Sequence, residues 1–175
     1  MIEAVLFIAF ITLLLYWEPY IMKTAEHGAP YVGMDTEVIP RVITITELKK
    51  GEKFYELGSG DGRLVIAAAM KGANAVGVEI DTLRVWYSRA WIKLLRLSSH
   101  AKILHKNIFE IDYSDADVVC LYLLPETNQK IEDKLKKELK PGTRVVSVAF
   151  TFPNWKPEKI DPRGTIYGPI YLYQV

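Results

Sequence analysis

The sequence predicts an α/β fold built on a mostly parallel sheet, and three observations carry that prediction. From residue 51 onward, short β-rich runs alternate with helical ones, the order that parallel strands need for their crossovers. The run "DVVCLYLL" (117–124) is apolar without interruption, as a strand covered on both faces should be. A glycine-rich turn, "GSGDG" (58–62), joins the first β-rich run to an Ala-rich stretch.

Each element follows from local chemistry. A β-rich run at 53–57 leads into the glycines, and a helix is expected over 63–71. "NAVGVEI" (74–80) is the second strand. Asp81 or Thr82 then caps a long helix to about residue 97. "AKILH" (101–105) is the third strand and 117–124 the fourth. Pro125 opens a charged helix to about residue 140, because proline suits a first helical turn. Pro141-Gly142 makes a turn, "TRVVSVAFTF" (143–152) is the fifth strand, and the tail 164–175 alternates like a closing hairpin strand. Upstream, Asp35 is placed to cap a helix running to about residue 49, with Pro40 imposing a kink or a later start. The domain is thus expected to span 35–175.

The N-terminal segment has a different character. Residues 4–17 carry no charge, and 1–2 and 20–22 extend the apolar body past Glu3 and Glu18. With Tyr16, Trp17 and Tyr20 clustered at one end, 1–22 reads as a hydrophobic helix that anchors the chain in a lipid bilayer. A helix packed on protein is the other reading. No basic region precedes the apolar run and no small-residue cleavage site follows it, which argues against a cleaved leader. Lys23 just after it places the main domain on the cytoplasmic side. Residues 23–34, with Gly and Pro breaks, form a linker.

Bulk composition narrows the function classes. The chain has 175 residues and net charge +1, so its overall charge favours no nucleic-acid partner. A single cysteine, Cys120, excludes an internal disulfide and reads as a buried thiol. Three scattered histidines show no ligand spacing, and no metal is expected. Arg84, Arg89, Lys93 and Arg96 make a basic stripe on a helix that also carries Trp86 and Trp91. A solvated face is the ordinary explanation, and contact with anionic lipid the sharper one.

The glycine turn points to a nucleotide-like cofactor, because bare backbone can approach a ligand at the strand ends. Glu79, ending the second strand, suits ribose hydroxyls. The glycines run G-x-G-x-G rather than the spacing a pyrophosphate prefers. Glu56 just before the turn and Asp61 within it would repel a diphosphate and welcome a cationic cofactor. S-adenosylmethionine carries both an ammonium and a sulfonium.

These residues carry a resemblance. "FYELGSGDGRLVIAAA" and "AVGVEID" resemble the first two motifs of the seven-strand S-adenosylmethionine-dependent methyltransferases. Together with "LYLLPETN" and "ELKPGTRVVS", they resemble the membrane-anchored protein-lysine methyltransferases, whose eukaryotic members act on the ADP/ATP carrier and the ATP synthase c-subunit. That family also carries a Pro-Tyr-Val element like Pro30-Tyr31-Val32 and a Trp-x-Pro like Trp155-Lys156-Pro157; Gly33 departs from the pattern, which has a second proline there.

The resemblance implies a Rossmann-like seven-strand sheet and a lysine of a membrane-associated protein as acceptor. It implies that Glu56 and the Gly58-Ser59-Gly60 backbone face the methionine part of the cofactor, while Asp61, in the same loop, either joins them at the cofactor or caps the helix that begins at Gly62 or Arg63. Glu79 would hold the ribose, Ile80 pack on the adenine, and Asn107 and Ile108 read its amino edge. Tyr122, Leu124 and Pro125 would mark the catalytic end of the fourth strand, with Tyr31 and Trp155 lining the acceptor pocket. The alternatives are a methyltransferase of a lipid, small molecule or RNA, and a membrane-linked module that binds the cofactor without turnover.

Overall fold

The computed structural model describes residues 32–163 and 168–175. Their strands are β1 (Lys53–Leu57), β2 (Asn74–Glu79), β3 (Ala101–His105), β4 (Val118–Leu121), β5 (Arg144–Val148), β6 (Lys159–Asp161) and β7 (Ile170–Gln174). They form one sheet in the order β3-β2-β1-β4-β5-β7-β6. β1 to β5 pair in parallel, while β7 runs antiparallel to both its neighbours. The helices are α1 (Val38–Ile45), α2 (Arg63–Met70), α3 (Thr82–Leu94) and α4 (Pro125–Glu138). The expected seven-strand sheet is therefore present. The hydrophobic helix expected at 1–22, most of the linker and Tyr31 lie outside the described residues. Among those described, no helix is long and apolar enough to cross a membrane.

Strand alternation sorts the core into two layers. Phe54 and Cys120 join Val38, Val42, Leu64, Ala68, Val85 and Ile92 in the layer under α1, α2 and α3. Tyr55, Leu57, Val119 and Leu121 join Ile131 and Leu135 of α4 in the other. All four residues of β4 are fully buried, and Cys120 is a buried free thiol.

Local rules account for the differences from the expected boundaries. α1 starts later than Asp35, and Pro40 falls in its first turn, where a missing N–H breaks no helical bond. Asp81 is the cap of α3, its carboxylate accepting from Arg84 N at 2.9 Å. α3 ends before residue 97 because Arg96 turns left-handed (φ 58°) and Leu97 N returns to Ile92 O at 2.9 Å. β5 stops at Val148 because Ala149 also has positive φ (68°), turning 149–152 away from the sheet. β6 is a three-residue, largely exposed strand, too short to leave a period in the sequence.

β6 is tied to α1 by an ion pair. Arg41 Nε donates to Asp161 Oδ2 at 3.0 Å, with both side chains about nine-tenths buried. Arg163 grips the same carboxylate, and the two arginines hold it well below the usual carboxylate range, Arg163 contributing more. A depressed value means this stabilisation is present above about pH 4 and is lost as pH falls below it. Asp161→Asn is expected to lower stability by about 3 kcal/mol, since it leaves a buried guanidinium without its counter-charge. Replacing both Arg41 and Asp161 by apolar residues should recover most of the loss; urea unfolding of the three variants measures it.

Candidate active site

The loop after β1 is built from backbone that side chains would not permit. Gly58, Gly60 and Gly62 all have positive φ (73°, 54° and 79°). A Cβ on Gly58 would stand 2.9 Å from Leu123 Cδ2, and one on Gly62 2.9 Å from Ser88 Cβ. The glycines therefore let the loop close on the end of β4 on one side and on α3 on the other. The N–H groups of Gly58 and Ser59 donate to Val78 O at 2.9 and 3.0 Å, seating the loop on β2. Ser59 fills the space over Gly77, where a Cβ would lie 2.5 Å from its Oγ.

Glu79 clamps this arrangement. Its Oε2 accepts from Gly60 N at 2.7 Å and its Oε1 from Asp81 N at 2.8 Å, and the side chain is buried. One carboxylate thus joins the glycine loop to the start of α3 through two charge-assisted bonds. A carboxylate offers about four acceptor sites, so capacity for ligand hydroxyls remains. Ser88, fully buried on α3, adds a second tie: its single hydroxyl proton is shared between Gly60 O (3.0 Å) and Arg84 O (2.7 Å). The sequence motifs leave Ser88 out; its signal is a small polar residue on the buried stripe Val85–Ser88–Ile92.

Glu56 sits on β1 between Gly77 and Cys120, in the layer under α2. It is buried, and its Oε2 has no hydrogen-bond partner among the described residues. Burial first, then the negative charge of Asp61, pushes its carboxyl well above the usual range, against a bond from the Val65 backbone. Ser59 Oγ is likewise buried without a partner. Two orphaned polar atoms beside the glycine loop fit a ligand that brings its own donors.

Asp61 is bonded to the start of α2, in line with the capping reading. Its carboxylate grips the Arg63 guanidinium, with Nε 2.9 Å from both oxygens, and accepts from Arg63 N at 3.2 Å. Arg63 also donates to Met34 O at 2.6 Å. Much of the loop's negative charge is therefore neutralised internally.

The remaining predicted residues cluster at the same edge of the sheet, with one outlier. The His105 ring lies 3.0 Å from Ile80 O, and Lys106 N donates to Glu79 O at 3.2 Å, so the ends of β2 and β3 meet. Asn107 follows directly. Its Oδ1 accepts from Phe109 N at 3.1 Å and caps a single 3-10 turn that begins at Ile108. Tyr122 packs against the α1–α3 layer and Leu123 against the α4 layer, both half-buried. Leu124 caps α4 and Pro125 begins it. Trp155 stacks with Phe152 and Tyr173 at 5.4 and 5.2 Å, with Lys136 Nζ 5.5 Å from its ring. That places Trp155 in the aromatic packing of the α4 layer.

Known proteins match this architecture. The family model for the "ANTKMT methyltransferase domain" matches residues 56–159. A protein of Saccharolobus islandicus (strain REY15A), named "Protein-lysine N-methyltransferase", is 39% identical over 150 residues, covering 83% of this chain and 93% of that protein. A human lysine N-methyltransferase of the ATP synthase c-subunit is 36% identical over 137 residues, covering 77% of this chain, which spans 58% of the human protein's length. The crystal structure of an RNA methyltransferase from Salinibacter ruber, in complex with S-adenosyl-L-homocysteine, is 35% identical with a TM-score of 0.78, covering 82% of this chain and 94% of that one.

Glu56 makes a pH-dependent prediction. Its raised value favours the neutral form on folding, so its cost is absent below about pH 4 and grows as pH rises toward the folded-state value. Glu56→Gln keeps the shape and removes the charge. The ligand-free variant should melt about 2–4 °C above the parent at pH 8, the shift that about 1 kcal/mol makes in a domain of this size. The difference should vanish near pH 4 in calorimetric scans.

Proposed function

The chain belongs to the family of the ANTKMT methyltransferase domain, and from that premise we propose that it methylates a lysine side chain of a membrane-associated protein. It is an S-adenosylmethionine-dependent methyltransferase. When bound, the cofactor supplies a methyl group on a sulfonium that is also the leaving group. The chain's own residues bind, orient and exclude water. Glu56 offers its unpartnered buried oxygen to the cofactor's ammonium. Glu79 keeps lone pairs for the ribose while it holds Gly60 in place. Ile80, Asn107 and Ile108 stand where the adenine belongs.

The acceptor side is the end of β4. The Leu123 side chain lies against Gly58, which brings the segment that follows β4, with Tyr122, Leu124 and Pro125, up to the glycine loop. A lysine must lose its proton before it attacks, from an ordinary value of about 10.4, and an apolar, aromatic surround lowers that value. Tyr122 and the leucines beside it provide such a surround. What supports lysine as acceptor is the likeness to a protein-lysine methyltransferase over nearly that protein's whole length. The apolar run at 1–22 supports a membrane-held target, because a tether raises the effective concentration of neighbours in the same bilayer. Lys23 supports a domain on the cytoplasmic side. An RNA acceptor is the second reading, favoured by the likeness to the Salinibacter RNA methyltransferase.

Incubating the full chain with methyl-tritiated S-adenosylmethionine and a membrane extract tests this. The expected result is label that survives ribonuclease and lipid extraction and appears as methyl-lysine after acid hydrolysis. Label lost to ribonuclease, or carried into the lipid phase, overturns the lysine acceptor. Glu79→Gln should weaken cofactor binding about 5- to 150-fold by titration calorimetry, for about 1–3 kcal/mol of lost charge-assisted bonding.

A further inference from the structure

The outer face of α3 is apolar where the fold asks for nothing apolar. Successive helical residues advance about 100°, so Val85, Ser88 and Ile92 form one narrow stripe, and that stripe is buried. The opposite side carries Leu83, Trp86, Tyr87 and Leu94, which are 61%, 73%, 52% and 70% exposed. Trp91 beside them is 41% exposed and packs edge-on to Tyr87, with ring centroids 6.1 Å apart. Solvent-facing helices normally carry charge or polar groups there, and large exposed apolar patches mark contact sites.

Charge identifies the partner. Between residues 82 and 109 the chain has Arg84, Arg89, Lys93, Arg96, Lys102 and Lys106 and no Asp or Glu. The whole chain balances 22 Lys and Arg against 21 Asp and Glu, so this segment is strongly positive and the remainder net negative. By the same helical geometry, Arg84 flanks one side of the apolar arc and Arg89 and Lys93 the other. Arg89 is held there by its bonds to Ile103 O (3.1 and 2.7 Å). Arg96, on the left-handed residue that ends the helix, and the exposed Lys102 extend the positive border. An apolar arc rich in Trp and Tyr, bordered by cations, is the pattern of a helix lying in the interface of an anionic bilayer. RNA would also attract the cations, but protruding leucines at both ends of the arc gain nothing from stacked bases and gain much from acyl chains. We propose that the outer face of α3 seats the folded domain on a negatively charged lipid surface, through Leu83, Trp86, Tyr87 and Leu94 with Lys93 and Arg96 at its border.

The test must read α3 itself, because the apolar segment at 1–22 could hold the full chain to vesicles by other means. A nitroxide spin label on Leu94→Cys does so, since Cys120 is buried. In vesicles of equal parts phosphatidylcholine and phosphatidylglycerol, the label should shift from access by water-soluble nickel chelate to access by oxygen. In pure phosphatidylcholine the shift should be much smaller. It should be lost when Lys93→Glu and Arg96→Glu are introduced together. A label on Lys130→Cys, exposed on α4, should stay in water throughout. A residue-94 label that remains aqueous on bound vesicles overturns the proposal. So does one already shielded without lipid, which would mean that a second copy or the N-terminal segment covers the face, and so does one shielded by added RNA but not by lipid. The readout needs no turnover, so it is independent of the acceptor assigned above.

Discussion

The carboxylate of Glu79 is the constraint on which the site depends. Backbone amides at Gly60 and Asp81 belong to different crossovers, and nothing in strand pairing fixes one against the other. Glu79 bridges them with two short bonds inside a buried setting, where bonds to a charged group contribute about 1.5–3 kcal/mol each. Because the strand end, loop and helix start converge on one side chain, the left-handed glycines become a defined surface. Ser88 adds a second bond to the same residue, Gly60, this one from α3. The loop is thus held from β2 below and from α3 beside it before any ligand arrives, which is the preorganisation that a positioning enzyme needs.

The two acids at the glycine turn meet different surroundings in the fold. Asp61 and Glu56 look equivalent on paper, two acids around a turn. In the fold, Asp61 is spent on Arg63, which in turn reaches Met34 O. Glu56, held between two strands, has an oxygen with no partner among the described residues. Its burial and its acidic neighbours make the ionised form costly. An ammonium relieves that cost, and a diphosphate would add to it. In the role proposed for Glu56, the acid whose charged form is costly in this fold is also the one that favours an ammonium over a diphosphate.

The strands and the glycine turn were legible because they follow local periodicity. β1 and β3 fall on the expected residues, and the apolar run at 117–124 contains β4. What stayed hidden was tertiary. β6 pairs through three exposed residues, so neither hydrophobicity nor length announces it. Ser88 and Gly77 matter through what they touch across the fold, and spacing along the chain does not record that. Trp155 packs with Phe152 and Tyr173, partners that its position in the chain does not reveal. Asn107 could be placed beside the end of β2, but not its own use as the cap of the following turn.

The helix after β2 joins these threads, because its position is set by polar ties more than by burial. Its buried stripe is only Val85, Ser88 and Ile92. Its first half is fixed by the Asp81 cap, the Glu79 clamp and the Ser88 bond, and its middle by Arg89 on Ile103 O. A helix held this way does not need Trp86 or Leu94 to stay in place. Free of that duty, bulky apolar residues on its outer side reduce solubility without adding to the core. Their surplus, on the most basic stretch of a nearly neutral chain, fits the lipid contact proposed for this face.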